Sequence, residues 1–290
     1  MDVTVGTALE NAARLLDAAG VETPRWDAQL LLAWTLKARR EDLARAPERA
    51  LTAREQLVFD KAVSLRALRR PLPYITGEAW FYGRAFKINR AVLIPRPETE
   101  DLARAALEAV RQVPNPRLAD IGTGSGCLAV TLALELPDAH LWATDLSPDA
   151  LKTARKNVVR YGLTERITLL PGDLLTPLPS DVRLDAVVSN PPYITQAEVP
   201  HLQAEVREYE PTLALSGDGD AAGPDGTALH RRLITESLAV LKPGGWLLLE
   251  AGQGQAEIVA DAAQAAGYSK VRILNDLSGI GRVVQARWTG

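Results

Sequence analysis

The run Asn190-Pro191-Pro192-Tyr193 offers groups suited to a nitrogen that is hard to make react. The nitrogen of an amide or an aromatic amine is a poor nucleophile, because its lone pair is delocalised into the neighbouring π system. Two acceptors can correct much of this. The Asn190 side-chain oxygen and the Pro191 carbonyl, held in an extended projection by successive prolines, can each take an N–H bond from such a nitrogen. They would stabilise positive charge as it develops there and aim the lone pair at a methyl group. Tyr193 can pack against the planar group that carries the nitrogen. No strong base is required, since the nitrogen becomes acidic once methylated and can lose its proton late.

A second set of residues suits a nucleoside cofactor. Asp120-Ile121-Gly122-Thr123-Gly124-Ser125-Gly126 follows an apolar run and opens a helix, so its glycines let the backbone turn sharply and approach a ligand. About twenty residues on, Asp145 ends the next apolar run, where a carboxylate can accept bonds from both ribose hydroxyls. Gly172-Asp173-Leu174 ends a third run and can offer Asp173 to the exocyclic amine of adenine and Leu174 to its ring face. A dinucleotide for hydride transfer is the rival ligand. Against it, the spacing is Gly-x-Gly-x-Gly, and an acid at Asp120 would repel a pyrophosphate but suit the cationic methionine part of S-adenosylmethionine.

These residues need a frame that brings them to one edge. Beyond Pro116 short apolar runs alternate with helical stretches: 118–122, 141–145, 167–173, 184–190 and 245–251. Such alternation implies a parallel sheet with helices on both faces, whose carboxyl edge is where ligands bind. The runs 271–276 and 281–288, separated by Leu277-Ser278-Gly279-Ile280, should pair antiparallel.

Ahead of this α/β part the first seventy residues read as helices. Leu9, Ala12, Ala13 and Leu16 share a face before Gly20. Thr23 suits an N-cap and Pro24 a first helical position, followed by Ala28, Leu31, Leu32 and Leu36. Residues 52–67 form a further helix, and Pro71 and Pro73 end the run. The expected organisation is a helical domain over 1–73, a β-hairpin linker over 74–94, and a domain over 95–290 that begins with an extended entry through Pro95 and Pro97 and a helix through Leu102 to Val110.

Composition narrows the class. The 290 residues are 47% hydrophobic and 24% charged, an ordinary globular mixture. No run of eighteen apolar residues occurs and the first residues lack the basic-then-apolar order of a secretion signal, so a cytoplasmic location without a membrane partner is expected. The single cysteine, Cys127, excludes an internal disulfide, and His140, His201 and His230 are too scattered to predict a metal. A formal charge of -3 argues against a nucleic-acid substrate, whose phosphates call for clustered cations. Cys127 itself reads as a small buried residue rather than a reactive thiol.

Taken together, PLPYITGEAWFYGRAFKIN, VLIPRPETE, DIGTGSG, ATDLSPDAL, GDLL, VSNPPYI, LKPGGWLLLEAG and the final GRVVQAR closely resemble the peptide chain release factor glutamine methyltransferases over nearly the whole length. The resemblance implies a Rossmann-like class I methyltransferase domain, with a seven-stranded sheet ending in an antiparallel hairpin, beside a small all-α N-terminal domain that docks the protein substrate. It implies transfer from S-adenosylmethionine, leaving S-adenosylhomocysteine, to the glutamine of the Gly-Gly-Gln loop of release factors. By motif match Asp120, Gly122, Thr123, Gly124, Ser125, Gly126, Asp145, Asp173, Leu174 and Asn190 would hold the cofactor. Asn190, Pro191, Pro192 and Tyr193 would receive the glutamine amide, with Arg96 and Glu98 on the substrate side. Residues 191–228 could close over the target loop. Nearer alternatives are a ribosomal-protein glutamine methyltransferase, which the 95–100 stretch disfavours, and an adenine-N6 methyltransferase of nucleic acids, which shares Asn-Pro-Pro-Tyr and which charge disfavours. An inactive cofactor-binding scaffold is disfavoured by the intact acceptor run.

Overall fold

Apolar residues spaced three and four apart become helices in the computed structural model, which describes residues 3–219 and 221–290. Met1 and Asp2 of the expected helical domain, and Asp220 of the 191–228 segment, lie outside the described residues. By its contacts the chain divides into one unit of Met1–Glu78 with Gln203–Tyr209 and another of Ala79–Leu202 with Glu210–Gly290.

In the first unit, α1 (Val5–Ala18) buries Val5, Ala8, Ala12 and Leu16. Leu9 and Ala13, expected inside, are only partly covered. The second helix, α2 (Pro24–Leu36), buries Ala28, Leu31 and Leu32 completely. Thr23 makes no cap bond there, because its hydroxyl instead donates to Asp27 at 2.9 Å. The short α3 (Arg40–Arg45) leads to α4 (Ala53–Ala67), whose start is a reciprocal capping box between Thr52 and Glu55. Pro71 and Pro73 do not stop the chain from turning once more, since proline is tolerated in a first helical turn. Thus α5 (Leu72–Thr76) occupies the start of the expected linker and is closed by Gly77 at φ +77°. Around Phe59 and Leu31 these helices share one core. At its edge the Arg66 guanidinium and Asp27 carboxylate, both buried, meet at 2.7 Å.

The second unit opens with β1 (Glu78–Phe81) and β2 (Arg84–Lys87), the paired hairpin foreseen within 74–94. It is no free linker. Phe81 and Phe86 are buried in the core of this unit, the Tyr161 hydroxyl donates to the Ala85 carbonyl, and Asn157 Oδ1 accepts from the Lys87 amide. Then come α6 (Glu98–Val110), β3 (Arg117–Ile121), α7 (Cys127–Glu135), β4 (His140–Asp145), α8 (Pro148–Arg160), β5 (Ile167–Pro171) and β6 (Leu184–Ser189). Next, α9 (Ala204–Tyr209) leaves this unit and belongs with the helical one. There Glu205 pairs with Arg69 at 2.7 Å and Arg66 at 3.0 Å. Burial alone would push Glu205 up, but hydrogen bonds from the two guanidinium groups outweigh it and hold the carboxyl down at about 2.

The remaining elements are α10 (Thr212–Leu215), α11 (Ala228–Ser237), β7 (Leu241–Glu250), α12 (Ala256–Ala265), β8 (Ser269–Asn275) and β9 (Gly281–Arg287). The seven-stranded sheet has the order β5-β4-β3-β6-β7-β9-β8. Its pairs are parallel from β5 through β7, and β9 runs antiparallel to both β7 and β8, as the terminal hairpin required. Apolar cores cover both faces, one including Leu118, Leu132 and Val188, the other Ile121, Val187 and Leu247. The chain steps outward from β3 to β5 and then returns to β6 on the other side of β3. This reversal opens a crevice at the carboxyl edge. Among the described residues no helix is long and apolar enough to cross a membrane, and no group of three His, Cys, Asp or Glu could hold a metal ion.

Candidate active site

Strand register assembles the site. Ile121 pairs with Ser189, and Ser189 with Leu249, so Gly122, Asn190 and Glu250 leave three neighbouring strands at one level. Above them lies a cavity of about 580 Å³ in the second unit.

On the β3 side, Gly122, Gly124 and Gly126 all take positive φ, at 72°, 56° and 77°. Gly122 and Gly124 line the cavity with Thr123 and Ser125, whereas Gly126 does not. A Cβ on Gly126 would stand 3.2 Å from the Ala154 Cβ, so Gly126 serves the close approach of α7 to α8. Asp120 lines the wall but is 2% exposed, and its carboxylate accepts from Thr123 Oγ1 at 2.6 Å and the Ala129 amide at 3.1 Å. It thereby fastens the turn to α7. Burial pushes its carboxyl up to about 6 against these bonds.

Asp145 reaches across from β4. One of its oxygens accepts from the Gly124 amide and the other from the Ser147 amide, each at 2.8 Å, and burial raises its carboxyl against both bonds. The Gly turn and the acid twenty residues later are thus one hydrogen-bonded unit. Leu174 lines the cavity at φ +45°. Asp173 is exposed and its carboxylate accepts from Arg232 at 2.8 Å, so this acid is already partnered on the cavity rim. Cys127 is buried and its thiol is pushed up to about 12 by that burial, in keeping with a packing role.

On the β6 side, Asn190 and Pro192 line the cavity, while Pro191 and Tyr193 do not. Pro191 is buried, and its carbonyl accepts no bond from a described residue. Burial raises the Tyr193 phenol, and its backbone carbonyl accepts from Gln255 Nε2 at 2.9 Å. Gln255 also donates to the Asp225 carbonyl at 3.2 Å and accepts from the Gly252 amide at 3.0 Å. It ties the Asn-Pro-Pro-Tyr loop to the turn after β7 and to the chain before α11.

Arg96 lines the cavity and Glu98 does not. The Arg96 guanidinium donates to Glu210 at 2.6 Å, and the same carboxylate, its side chain 1% exposed, accepts from the Ile94 amide at 3.2 Å. Arg96 therefore binds the middle of the 191–228 segment. Pro211, Leu213, Ala214 and Gly217 of that segment complete one cavity wall.

Sequence reasoning passed over Thr99, Glu250 and Gln255. Asn190 Nδ2 donates to Thr99 Oγ1 at 3.1 Å, and Thr99 Oγ1 donates to Glu250 Oε2 at 2.7 Å. Glu250 is 1% exposed, and burial, with the nearby charge of Glu98, pushes its carboxyl up to about 7 against the bond from Thr99 and the charges of Arg282 and Arg96. Glu250 ends β7, and an acid closing a buried strand is a signal of the kind that singled out Asp145. Nothing in the sequence distinguishes Thr99 within the 95–100 stretch.

The residues present fit a ligand with an adenosine at one end and a cationic centre near Asn190. The β3 turn leaves open space beside Gly124, Asp145 stands at its side, and an apolar residue, Leu174, faces the same space.

Comparison with known proteins agrees with this geometry. Residues 7–77 match the family model described as PrmC N-terminal domain, and residues 100–209 the methyltransferase small domain. The chain is 44% identical to the release factor glutamine methyltransferase of Moorella thermoacetica over 96% of both chains. It is 40% identical to that of Koribacter versatilis over 98% of this chain and 99% of the relative. A methyltransferase from Pyrococcus furiosus, 15% identical, superimposes on 71% of this chain and 90% of its own with a TM-score of 0.51, a likeness of fold.

Proposed function

The chain belongs to the release factor glutamine methyltransferases, and on that premise we propose that it methylates the side-chain amide nitrogen of the glutamine in the Gly-Gly-Gln loop of peptide chain release factors. S-adenosylmethionine is the methyl donor and S-adenosylhomocysteine the product. When bound, the donor supplies a sulfonium whose methyl carbon is electrophilic. The observation that carries the reading is the Asn190 amide, turned so that its Nδ2 is occupied by Thr99 while its oxygen accepts no bond from a described residue at the cavity wall.

Asp145 takes the ribose hydroxyls on lone pairs not used by Gly124 and Ser147, and Leu174 lies against the adenine. The Gly122–Ser125 backbone passes close to the methionine part, with Asp120 holding the turn in shape. Asn190 Oδ1 accepts an amide proton of the glutamine and aims its nitrogen at the methyl. As nitrogen forms its bond to carbon and the carbon–sulfur bond breaks, positive charge moves onto nitrogen, where the Asn190 oxygen meets it. Preorganised groups of this kind are each worth about 3–4 kcal/mol of barrier, and fixing two reactants in line contributes about 7–11 kcal/mol more. The amide proton, acidic once methylation has occurred, leaves last, to water.

The helical unit docks the protein substrate. Trp26, Trp34, Leu57 and Leu68 are exposed on it, side chains that a protein surface would cover. A substrate drawn from the translation machinery places the reaction in the cytoplasm.

The test is transfer of labelled methyl from S-adenosylmethionine to purified release factor, its loop Gln→Ala variant, ribosomal proteins and DNA, with fragment mass mapping. Label confined to the loop glutamine supports the reading. Label on a ribosomal protein or on DNA instead overturns the substrate.

A further inference from the structure

The hydrogen bonds behind Asn190 have a fixed direction. Asn190 Nδ2 has only protons to give, so across 3.1 Å it donates to Thr99 Oγ1. The Thr99 hydroxyl has one proton, and Glu250 Oε2 lies 2.7 Å away to take it. We propose that Thr99 and Glu250 are positioning residues for the methyl acceptor: ionised Glu250, acting through the Thr99 hydroxyl, decides which end of the Asn190 amide faces the cavity.

The alternative orientation is a half-turn of the amide, nearly the same in shape and opposite in chemistry. It would present N–H groups to a substrate nitrogen that itself presents N–H groups. With Glu250 ionised, that orientation puts an oxygen on each side of Thr99, which has a single proton. One buried acceptor would then lack a donor, a costly arrangement with Thr99 5% and Glu250 1% exposed. With Glu250 protonated the penalty vanishes. Its O–H donates to Thr99, Thr99 donates to the Asn190 oxygen, and the reversed amide is fully bonded.

Orientation is therefore coupled to one proton. The groups facing Glu250 come from every element around it. They are Glu98 on α6, Arg96 before it, Arg282 on β9 and the Tyr193 phenol. His230 on α11 meets only the Glu250 backbone carbonyl, at 2.8 Å. Burial places the carboxyl at about 7, so the proton is exchanged near neutrality.

This inference rests on the proposed role of Asn190, and its test separates the two. Thr99→Val keeps shape and removes the hydroxyl; Thr99→Ser restores the hydroxyl. Turnover should fall about 10- to 100-fold in Thr99→Val and return to within a few-fold in Thr99→Ser, with cofactor affinity unchanged in both. Wild-type turnover should rise with pH as Glu250 ionises, and Glu250→Gln should flatten that limb. Independently of any substrate, the Asn190 side-chain amide resonances in ¹⁵N-asparagine-labelled protein, assigned by their loss in Asn190→Ala, should shift with pH around 7 and cease to do so in Thr99→Val. Resonances that respond in a protein unable to methylate release factors would sink the proposed substrate and uphold the relay. Wild-type turnover and an unchanged acid limb in folded Thr99→Val, or resonances indifferent to Thr99, overturn the inference.

Discussion

Gly226→Ala probes the site from a position that touches no ligand. Gly226 is buried at φ +71°, and a Cβ there would lie 2.2 Å from both the Tyr193 carbonyl oxygen and Gln255 Nε2. These two atoms form the 2.9 Å bond that ties the Asn-Pro-Pro-Tyr loop down. Relieving contacts that close requires a movement of about 1 Å and breaks the bond. A left-handed alanine costs about 1 kcal/mol, and the lost bond to a buried carbonyl about 1–3 kcal/mol. The variant should thus lose roughly 2–4 kcal/mol, a fall of about 3–7 °C in Tm for a chain of this size, and remain folded. Because a 1 Å misplacement costs about 100-fold in rate, turnover should drop by that order. Cofactor affinity, which the proposed site assigns to Asp145 and the Gly122–Ser125 turn, should stay within a few-fold. The assay pairs titration calorimetry of S-adenosylmethionine with steady-state methyl transfer at a temperature well below the variant's Tm. A folded variant with wild-type turnover would refute the claim that Gln255 and Gly226 hold the acceptor loop in register.

Arg66→Met should destabilise the helical unit by about 3–5 kcal/mol, since it strands Asp27 in the interior and removes one guanidinium from Glu205; denaturant unfolding followed by the fluorescence of Trp26 and Trp34 reads this directly. The Glu250 carboxyl, raised to about 7 by burial, is protonated in the folded protein where the unfolded chain is already ionised. Its contribution is therefore fully present below the ordinary carboxylate range and is lost as pH rises from about 4.5 through about 7, a loss of roughly 3 kcal/mol. Glu250→Gln should remove most of that pH dependence in unfolding curves taken across the window. Thr52→Ala deletes half of the α4 capping box and should cost about 1 kcal/mol, visible as a small shift in denaturation midpoint with no change in turnover.

Much of the frame was legible because period and punctuation act locally. Apolar runs separated by helical stretches specify a parallel sheet, and the turn 277–280 specifies the antiparallel end. The Gly turn and Asp145 are separated by about the length of one helix and one strand, so their meeting at 2.8 Å follows from the fold. What escaped was set by contacts distant in sequence. Thr99 and Asn190 are 91 positions apart, Thr99 and Glu250 151, and no local pattern records which threonine a fold will bring beneath an asparagine. Glycine answers two demands, close approach to a ligand and close approach of two helices, and the sequence alone does not reveal the second one at Gly126. Asp173 lines the cavity but also pairs with Arg232, 59 positions away, a partner that no local pattern records. The segment after Tyr193 read as one loop, yet it sends 203–209 to the helical unit, where the guanidinium groups of Arg66 and Arg69 hold Glu205.

The central claim, that the Asn190 oxygen receives the nitrogen to be methylated, is tested most directly by Asn190→Ala. Cofactor affinity by calorimetry and single-turnover methyl transfer to release factor are measured on the same preparation. The account predicts a Kd for S-adenosylmethionine within about fivefold of wild type and a transfer rate lower by about 100- to 1000-fold. A transfer rate near wild type, or a loss explained entirely by failure to bind S-adenosylmethionine, would contradict it.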